Sequence, residues 1–392
     1  MRLRGFHRVI PVLAGLALIL VWALDFAGVQ PNRIVPATGF PLLSAIGGGL
    51  SAFYLVGLAL LIILPSLPWR MPVVKTIRTV IDVLAILLLA GLPLSLAHFS
   101  RLHLSPDQPF ARVEVGAGFW CLLFFLLLIM IEVLRDKGTW RRLMTAAVVL
   151  VVWFYDVRTG ALDALSLIRE YHNRSDQFAT VLEQHLALSL GSVGVSLVVS
   201  FFLAVAMTRR PRWQRPVFAL VNFVQTIPSL ALFGLLIAPL SYLSAHSTLL
   251  RDLGIRGIGW APAALALVAY SLLPMVRNTF VALTEIPADL LEAGRGMGMS
   301  ESQLFRQIKW PLALPVIIEG VRVTTIQAIG LTAVAALIGA GGLGTFIFQG
   351  LGQAAMDLVL LGALPTIGLA LLADLLFSWL ARHWRVIPEI TS

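Results

Sequence analysis

Seven ionisable side chains lie in or near long apolar runs, where a charged group is costly unless it reaches water, finds a partner or lines a polar path. They are Asp25, Asp82, Glu132, Arg277, Glu319, Arg322 and Asp374. Most lie near the ends of their runs, where a long side chain can reach water. Glu319 and Arg322 are three residues apart and are predicted to pair on one helix face. Asp374 lies deepest in its run, so it is the candidate for lining a transport pathway.

The glycine-rich stretch GAGGLG at residues 339–344 spells the G-x-G-x-x-G pattern of dinucleotide-binding loops. That pattern holds a pyrophosphate when it joins a strand to a helix in a βαβ unit. Here it follows an apolar run that is long enough to cross a membrane. We therefore predict a tight turn at the extracytoplasmic mouth of the molecule, where Gly341, Gly342 and Gly344 let backbones or a docking partner approach closely.

No other pattern in the sequence predicts catalysis, a metal site or a cofactor. The three lysines, Lys75, Lys137 and Lys309, lie outside any G-x-x-x-x-G-K-[ST] phosphate-binding loop, so the chain is not predicted to bind ATP through such a loop. All seven histidines fall in or beside predicted loops, which argues against an intramembrane enzyme. The single cysteine, Cys121, lies in an apolar run and is interpreted as packing.

The composition is that of an integral membrane protein, since 58% of the 392 residues are hydrophobic and 12% are charged. Backbone groups in lipid must bond within their own segment, so each apolar run is predicted to be a helix. The predicted class is an all-α polytopic membrane protein with about ten transmembrane helices. The runs are 9–27, 42–65, 77–97, 117–134, 143–157, 186–207, 216–240, 259–282, 313–338 and 357–381.

The basic residues indicate how the chain is oriented. With both termini in the cytoplasm, the segments on that side hold 19 Lys and Arg and the opposite loops hold eight. This pattern assigns the formal charge of +9 to membrane topology and not to nucleic acid. The polar segment 158–184 is predicted to be an extracytoplasmic linker between a five-span N-terminal region, 1–157, and a C-terminal core, 185–392.

A polar, glycine-rich segment at 287–311 lies within the predicted cytoplasmic loop 283–311. Pro287 and Asp289 favour a helix start, since proline suits a first turn and a carboxylate complements the positive end of the helix dipole. The glycines that follow permit a turn, and Ser300 with Gln303 forms a capping-box pattern that opens a second short helix. Pro311 is predicted to end that helix. The resulting glycine elbow, called the elbow below, has the shape of a docking site, although a plain connector between spans fits equally well.

The elbow resembles the EAA loop of ABC-importer permeases. That loop has the pattern EAA, three residues, Gly, nine residues and a closing Ile-x-Leu-Pro. The corresponding residues here are Glu292, Ala293, Gly294, Gly298, Ile308 and Pro311, with Gly294 in place of the second Ala and Trp310 in place of Leu. The resemblance implies that these residues form a coupling helix inserted into a groove of a separate ATPase subunit.

Three further stretches resemble glycine betaine/choline-type osmoprotectant permeases over about residues 185–381. They are NFVQTIPSLALFGLL, which contains Pro228 inside a predicted span, YSLLPMVRNT, which contains Pro274, and IGAGGLG. Each proline is expected to kink its helix and to gate the pathway. The five N-terminal spans resemble those of the longer, YehY-type members.

The resemblance implies a permease of the bacterial inner membrane that receives its solute from an extracytoplasmic binding protein. It also implies an ABC ATPase that binds the ATP, a second permease copy and contact with membrane lipid. The expected solute is an osmoprotectant such as glycine betaine. Another small amine or amino acid is the alternative solute, and an ion-coupled secondary transporter is the alternative from a different class.

Overall fold

The computed structural model describes residues 9–33, 35–67, 71–105 and 107–384. The predicted basic segment 1–8 and the residues after 384 lie outside these ranges. The chain divides into two compact units, Met1–Asn173 and Arg174–Ser392, called the N-terminal unit and the C-terminal unit below.

The N-terminal unit contains seven described helices and a small sheet. The helices are α1 (Val9–Ala23), α2 (Leu42–Ser66), α3 (Met71–Ala90), α4 (Leu92–His103), α5 (Ala117–Leu134), α6 (Thr139–Arg158) and α7 (Ser166–Asn173). Their apolar faces enclose one core around Tyr54, Leu58 and Leu122. The helix predicted over 117–134 is confirmed with its bounds. The apolar run between Gly116 and Arg135 is uninterrupted, so the positions at which the helix begins and ends are well defined.

The sheet was not predicted from the sequence. It consists of β1 (Asp25–Gln30), β2 (Thr38–Pro41) and β3 (Arg112–Val115) in the antiparallel order β2-β1-β3. The predicted first span continued to residue 27, whereas α1 ends at Ala23 and the next residues enter β1. Ala27 pairs there with Val115, so a partner strand far along the chain ends the helix.

The C-terminal unit is built on long helices that pack side by side, with α12 against α8 and α15, and α15 against α17. The helices are α8 (Ser175–Arg209), α9 (Gln214–Thr226), α10 (Ser229–His246), α11 (Thr248–Asp252), α12 (Trp260–Thr284), α13 (Ala288–Gly296), α14 (Glu301–Leu304), α15 (Trp310–Ala335), α16 (Gly344–Gly352) and α17 (Met356–His383). A π-helical turn, Phe305–Lys309, joins α14 to α15.

The predicted linker 158–184 is largely helical in the structure. It contains α7, and α8 begins at Ser175 and continues into the apolar run without a break.

The described residues contain seven helices long and apolar enough to cross a membrane, or eight if the bent pair formed by α3 and α4 is one span. The expectation of ten spans is corrected at three places. Helix α1 is apolar but has only 15 residues, fewer than a span needs. Helix α6 is too polar to qualify, since it contains Arg141, Arg142 and Asp156. The run 216–240 is not one helix, because α9 ends at Thr226 and α10 begins at Ser229. The predicted class, an all-α polytopic membrane protein, is confirmed.

Candidate coupling site and transport pathway

The elbow folds, as predicted, as two helices joined by a glycine turn. Helix α13 is its first arm, and residues 301–309 are its second arm. Helix α13 follows Pro287 and ends at Gly296, and Gly298 then adopts a φ of +79°, a conformation that favours glycine. The capping box at the start of α14 is present. The Gln303 backbone N–H donates to Ser300 Oγ at 3.3 Å, and the Ser300 backbone N–H donates to Gln303 Oε1 at 2.8 Å.

Gly294 explains how the two arms of the elbow pack together. It is the one buried residue of α13, and a Cβ added there would lie 2.6 Å from Leu304 Cδ2 and 2.8 Å from Ile308 Cδ1. Glycine in place of the alanine of the EAA pattern thus lets α13 contact the second arm closely. Across the turn, Arg295 Nε donates to Glu301 Oε1 at 3.1 Å, which adds an exposed ion pair between the arms.

Pro311 does not end the second helix, contrary to the prediction. Residues 301–338 form a continuous helical segment, and Pro311 lies in the first turn of α15. The π turn immediately before it supplies the physical reason. Proline cannot donate to the carbonyl four residues earlier and its ring clashes there. A wider turn shifts the hydrogen-bonding register by one residue and accommodates the ring.

The outer face of α13 is exposed and partly apolar. Leu290, Ala293 and Met297 follow one another at helical spacing along this face, and Met297 is 72% exposed. Glu292 is also exposed, on the side of α13 away from Leu290, whereas the buried Gly294 packs against the other arm. The elbow therefore presents exposed apolar side chains and a carboxylate, a composition that suits a docking surface.

Pro274 lies inside α12, as predicted, and its effect on the backbone is visible. A proline at this position removes the donor for the carbonyl of Tyr270, four residues earlier. Gln225 Nε2 at the end of α9 donates to that carbonyl at 2.6 Å instead. The Tyr270 hydroxyl in turn donates to the Ile227 carbonyl.

Pro228 does not lie inside a helix, which corrects the second proline prediction. It precedes α10 with φ −56° and ψ 139°, so the chain is extended at this point. The residue before a proline is disfavoured in the α region, which explains why α9 ends at Thr226. The proline therefore separates two helices where a kinked single span was expected.

The glycine stretch after α15 forms a tight turn that contacts the third turn of α8. Gly341 and Gly342 have φ values of +79° and +82°. The Gly342 N–H donates to Gln184 Oε1 at 3.2 Å, and the Leu343 N–H donates to Nδ1 of the fully buried His185 at 3.3 Å. A side chain at Gly341 would collide with the Gln184 amide.

Close packing also explains Gly344, at the start of α16. A Cβ there would collide with the Ala333 carbonyl. A cavity of about 770 Å³ opens beside the turn, with Ser192, Arg256 and Trp260 in its wall.

The glycine turn itself was predicted from the sequence, but its partners Gln184 and His185 were not. The two segments are 158 residues apart, so no local pattern indicates that they meet.

An ion-pair cluster joins α15 to α17. Arg322 Nη1 donates to Glu319 Oε1 at 2.7 Å, which confirms the predicted pair. Arg322 Nε donates to Asp374 Oδ1, also at 2.7 Å. The Asp374 side chain is 36% exposed, so the candidate pathway residue is held by a cation on the neighbouring helix. The sequence did not predict this partner.

The membrane-length helices define a polytopic membrane protein, and the elbow is an exposed segment of two packed helical arms. Residues 196–386 match the family model described as binding-protein-dependent transport system inner membrane component. Residues 7–168 match the model described as ABC transporter permease YehY, N-terminal domain.

Curated relatives match about half of the chain. Osmoprotectant import permease protein OsmW of Salmonella typhimurium is 40% identical over 209 residues, which cover 53% of this chain and 90% of that protein. Glycine betaine/carnitine/choline transport system permease protein OpuCB of Bacillus subtilis is 37% identical over 206 residues, covering 53% and 87%. A chain of the inward-facing MetNI methionine ABC transporter is 25% identical, covering 53% of this chain and 95% of that chain, with a TM-score of 0.45.

The chain belongs to the family of binding-protein-dependent ABC-importer permeases. It is therefore a transport subunit and not an enzyme, and the family places ATP binding on a separate ATPase subunit. The family likewise implies an ATPase and a solute-binding protein as partners, and a multi-pass location in the inner membrane.

Proposed function

We propose that this permease imports osmoprotectants such as glycine betaine. The observation that carries the proposal is the match to relatives whose names specify osmoprotectant, betaine, carnitine or choline transport, over 86–90% of their lengths. Quaternary ammonium groups are bound best by aromatic cages. We place that cage in the binding protein, and the permease passes the delivered solute across the membrane. A permease for another small amine or amino acid is the alternative.

The elbow is proposed to be the site at which the ATPase subunit acts. Glu292, Ala293 and Met297 would contact a groove of that subunit, and the exposed apolar face of α13 supports this role. Gly294 and Ile308 would transmit the force, since they form the contact between α13 and the second arm. Because that arm continues into α15 through Pro311, a push on α13 would reach a membrane helix directly.

The pathway is proposed to lie within the core predicted over 185–392, completed by a second copy of the permease. Pro228 and Pro274 are the candidate hinges, supported by the Gln225–Tyr270 contact that connects the helices beside them. Gly341, Gly342 and Gly344 would form the extracytoplasmic gate, and Asp374 would face the path. The excess of Lys and Arg on one side supports the orientation with both termini in the cytoplasm.

Uptake of labelled glycine betaine tests the solute and the coupling role together. The chain would be expressed with its ATPase and binding protein in cells that lack other betaine systems, alongside Gly298→Val and Gly296→Ala. We expect uptake by wild type and by Gly296→Ala, because Gly296 is helical with open space around it. Gly298→Val should abolish uptake, since a β-branched residue is strained at a φ of +79°.

The outcomes separate the two parts of the proposal. Absence of betaine uptake by an assembled wild-type complex would exclude this solute and leave other amines or amino acids to be tested. Normal uptake by a well-expressed Gly298→Val variant would contradict the coupling role of the elbow.

A further inference from the structure

A second cavity, of about 630 Å³, lies at the elbow end of the C-terminal unit. Its walls come from the last turn of α8, the end of α12 and the segment that joins α14 to α15. Three cationic side chains, Arg209, Arg306 and Lys309, line it. Arg209 belongs to α8 and the other two to the π turn before α15, so the fold brings together charges that are about 100 residues apart in sequence.

These cations have no counter-ion within the part of the chain that the structure describes. Neither an ion pair nor a side-chain hydrogen bond to Arg209, Arg306 or Lys309 is formed there. The single carboxylate in the cavity wall, Glu301, already accepts from Arg295 across the elbow at 3.1 Å. Three like charges around one cavity repel one another, and an anion placed among them would relieve that repulsion.

Apolar side chains also line the cavity, and they favour an amphiphilic anion over a small inorganic one. Val205, Leu283 and Phe305 lie in its wall among the cations. A small inorganic anion would leave these side chains in contact with water, whereas an amphiphile would cover them and present its charged group to the cations.

The position of the cavity along the spanning helices also suits a lipid headgroup. Trp310 directly follows the segment that lines it, is 37% exposed and packs edge-on against Phe201 with the ring centroids 5.8 Å apart. Exposed tryptophans of membrane proteins concentrate at the level of the headgroups. Arg209 is in the last turn of α8, which is long enough to cross a membrane. The cations of the cavity therefore lie at the end of a spanning helix, where lipid headgroups are found.

We propose that this cavity binds the phosphate headgroup of an anionic phospholipid from the leaflet that faces the elbow. Arg209, Arg306 and Lys309 contact the phosphate, and the apolar side chains of the lining contact the upper part of the acyl chains. Residues 301–309 form both the cavity wall and the second arm of the elbow. The bound lipid therefore holds that arm against the ends of α8 and α12. The site does not depend on the identity of the transported solute.

The test is a lipid-binding titration on the permease purified with its ATPase subunit in detergent. Bound phosphatidylglycerol is counted by native mass spectrometry, with phosphatidylcholine as the neutral control lipid. Arg306→Gln/Lys309→Gln should weaken phosphatidylglycerol binding roughly 25-fold, at about fivefold per cation, and should leave phosphatidylcholine unchanged. Arg306→Lys, which keeps the charge, should retain binding.

Arg212→Gln/Arg215→Gln is the matched control, because it removes two exposed cations outside this cavity. It should change phosphatidylglycerol binding by less than about twofold. An equal loss in both double variants would overturn the proposal by showing general charge attraction. Displacement of the lipid by equimolar inorganic phosphate would overturn it in favour of a free-phosphate site. Loss of the ATPase subunit from Arg306→Gln/Lys309→Gln with unchanged lipid binding would assign the cations to the subunit interface instead.

Discussion

The side chain of Gln225 and the backbone carbonyl of Tyr270 form a hydrogen bond of 2.6 Å that replaces one removed from α12 by Pro274. The Tyr270 hydroxyl donates back to the Ile227 carbonyl, immediately before the break at Pro228. The proline inside α12 and the proline that separates α9 from α10 are therefore joined by a reciprocal pair of contacts. A change of backbone geometry at one proline must alter the other, which is the behaviour expected of two hinges that move together.

Gln225→Ala should destabilise the C-terminal unit because it leaves the Tyr270 carbonyl without a donor. The expected cost is about 1 kcal/mol, since hydrogen bonds between membrane helices contribute modestly. Thermal unfolding of the purified permease in detergent measures this change.

Pro274→Ala provides the control for that prediction. Alanine at 274 restores the backbone N–H that can bond to the Tyr270 carbonyl within α12. Gln225→Ala should therefore cost much less in the Pro274→Ala background than in wild type. An equal cost in both backgrounds would show that Gln225 acts through other contacts.

Substitutions at Gly294 should show a graded effect that depends on side-chain size. The atoms nearest to an added Cβ are the far ends of Leu304 and Ile308, which can rotate away. Gly294→Ala should therefore retain most uptake, in agreement with alanine at this position of the EAA pattern. Gly294→Leu should separate the arms of the elbow and uncouple ATP hydrolysis from uptake, measured together in proteoliposomes. Full coupling in a folded Gly294→Leu variant would contradict the close packing of the two arms.

Asp374→Asn tests whether this side chain contributes to the pathway. The substitution leaves Arg322 paired with Glu319 and preserves shape, so the protein should express and assemble normally. If Asp374 faces the path, uptake should fall about tenfold or more, the scale of losing one charged contact. Glu319→Gln is the matched control, because it removes the other carboxylate partner of Arg322 and should preserve most uptake. Equal uptake by wild type and Asp374→Asn would remove Asp374 from the pathway.

Features set by neighbouring residues could be predicted from the sequence. The capping box needs only Ser300 and Gln303, and the Glu319–Arg322 pair needs only helical spacing. The position of Pro274 inside a helix follows from the apolar run around it. Each of these depends on a few consecutive residues and not on the rest of the fold.

Features that depend on distant residues could not be predicted. Hydropathy continues through Phe26 and Ala27, so the change from α1 to β1 is decided by pairing with β3. Asp374 lies 52 residues from Arg322, and Gln225 lies 45 residues from Tyr270. At Pro311 a local rule made the wrong prediction. A proline usually ends a helix, but the adjacent π turn allows the helix to continue through Pro311.

A comparison of His185 with Gln184 measures how burial changes the cost of losing a hydrogen-bond acceptor at the glycine turn. Each side chain accepts from one backbone N–H of the turn, but His185 is fully buried and Gln184 is exposed. His185→Ala should leave the Leu343 N–H unpaired in a dry environment and cost about 1–3 kcal/mol of unfolding free energy. Gln184→Ala should cost less than about 0.5 kcal/mol, because water can replace the lost acceptor. Thermal unfolding of the two variants in the same detergent makes the comparison. Equal costs would mean that solvent reaches both sides of the turn, and the proposed extracytoplasmic gate would then be open in the resting protein.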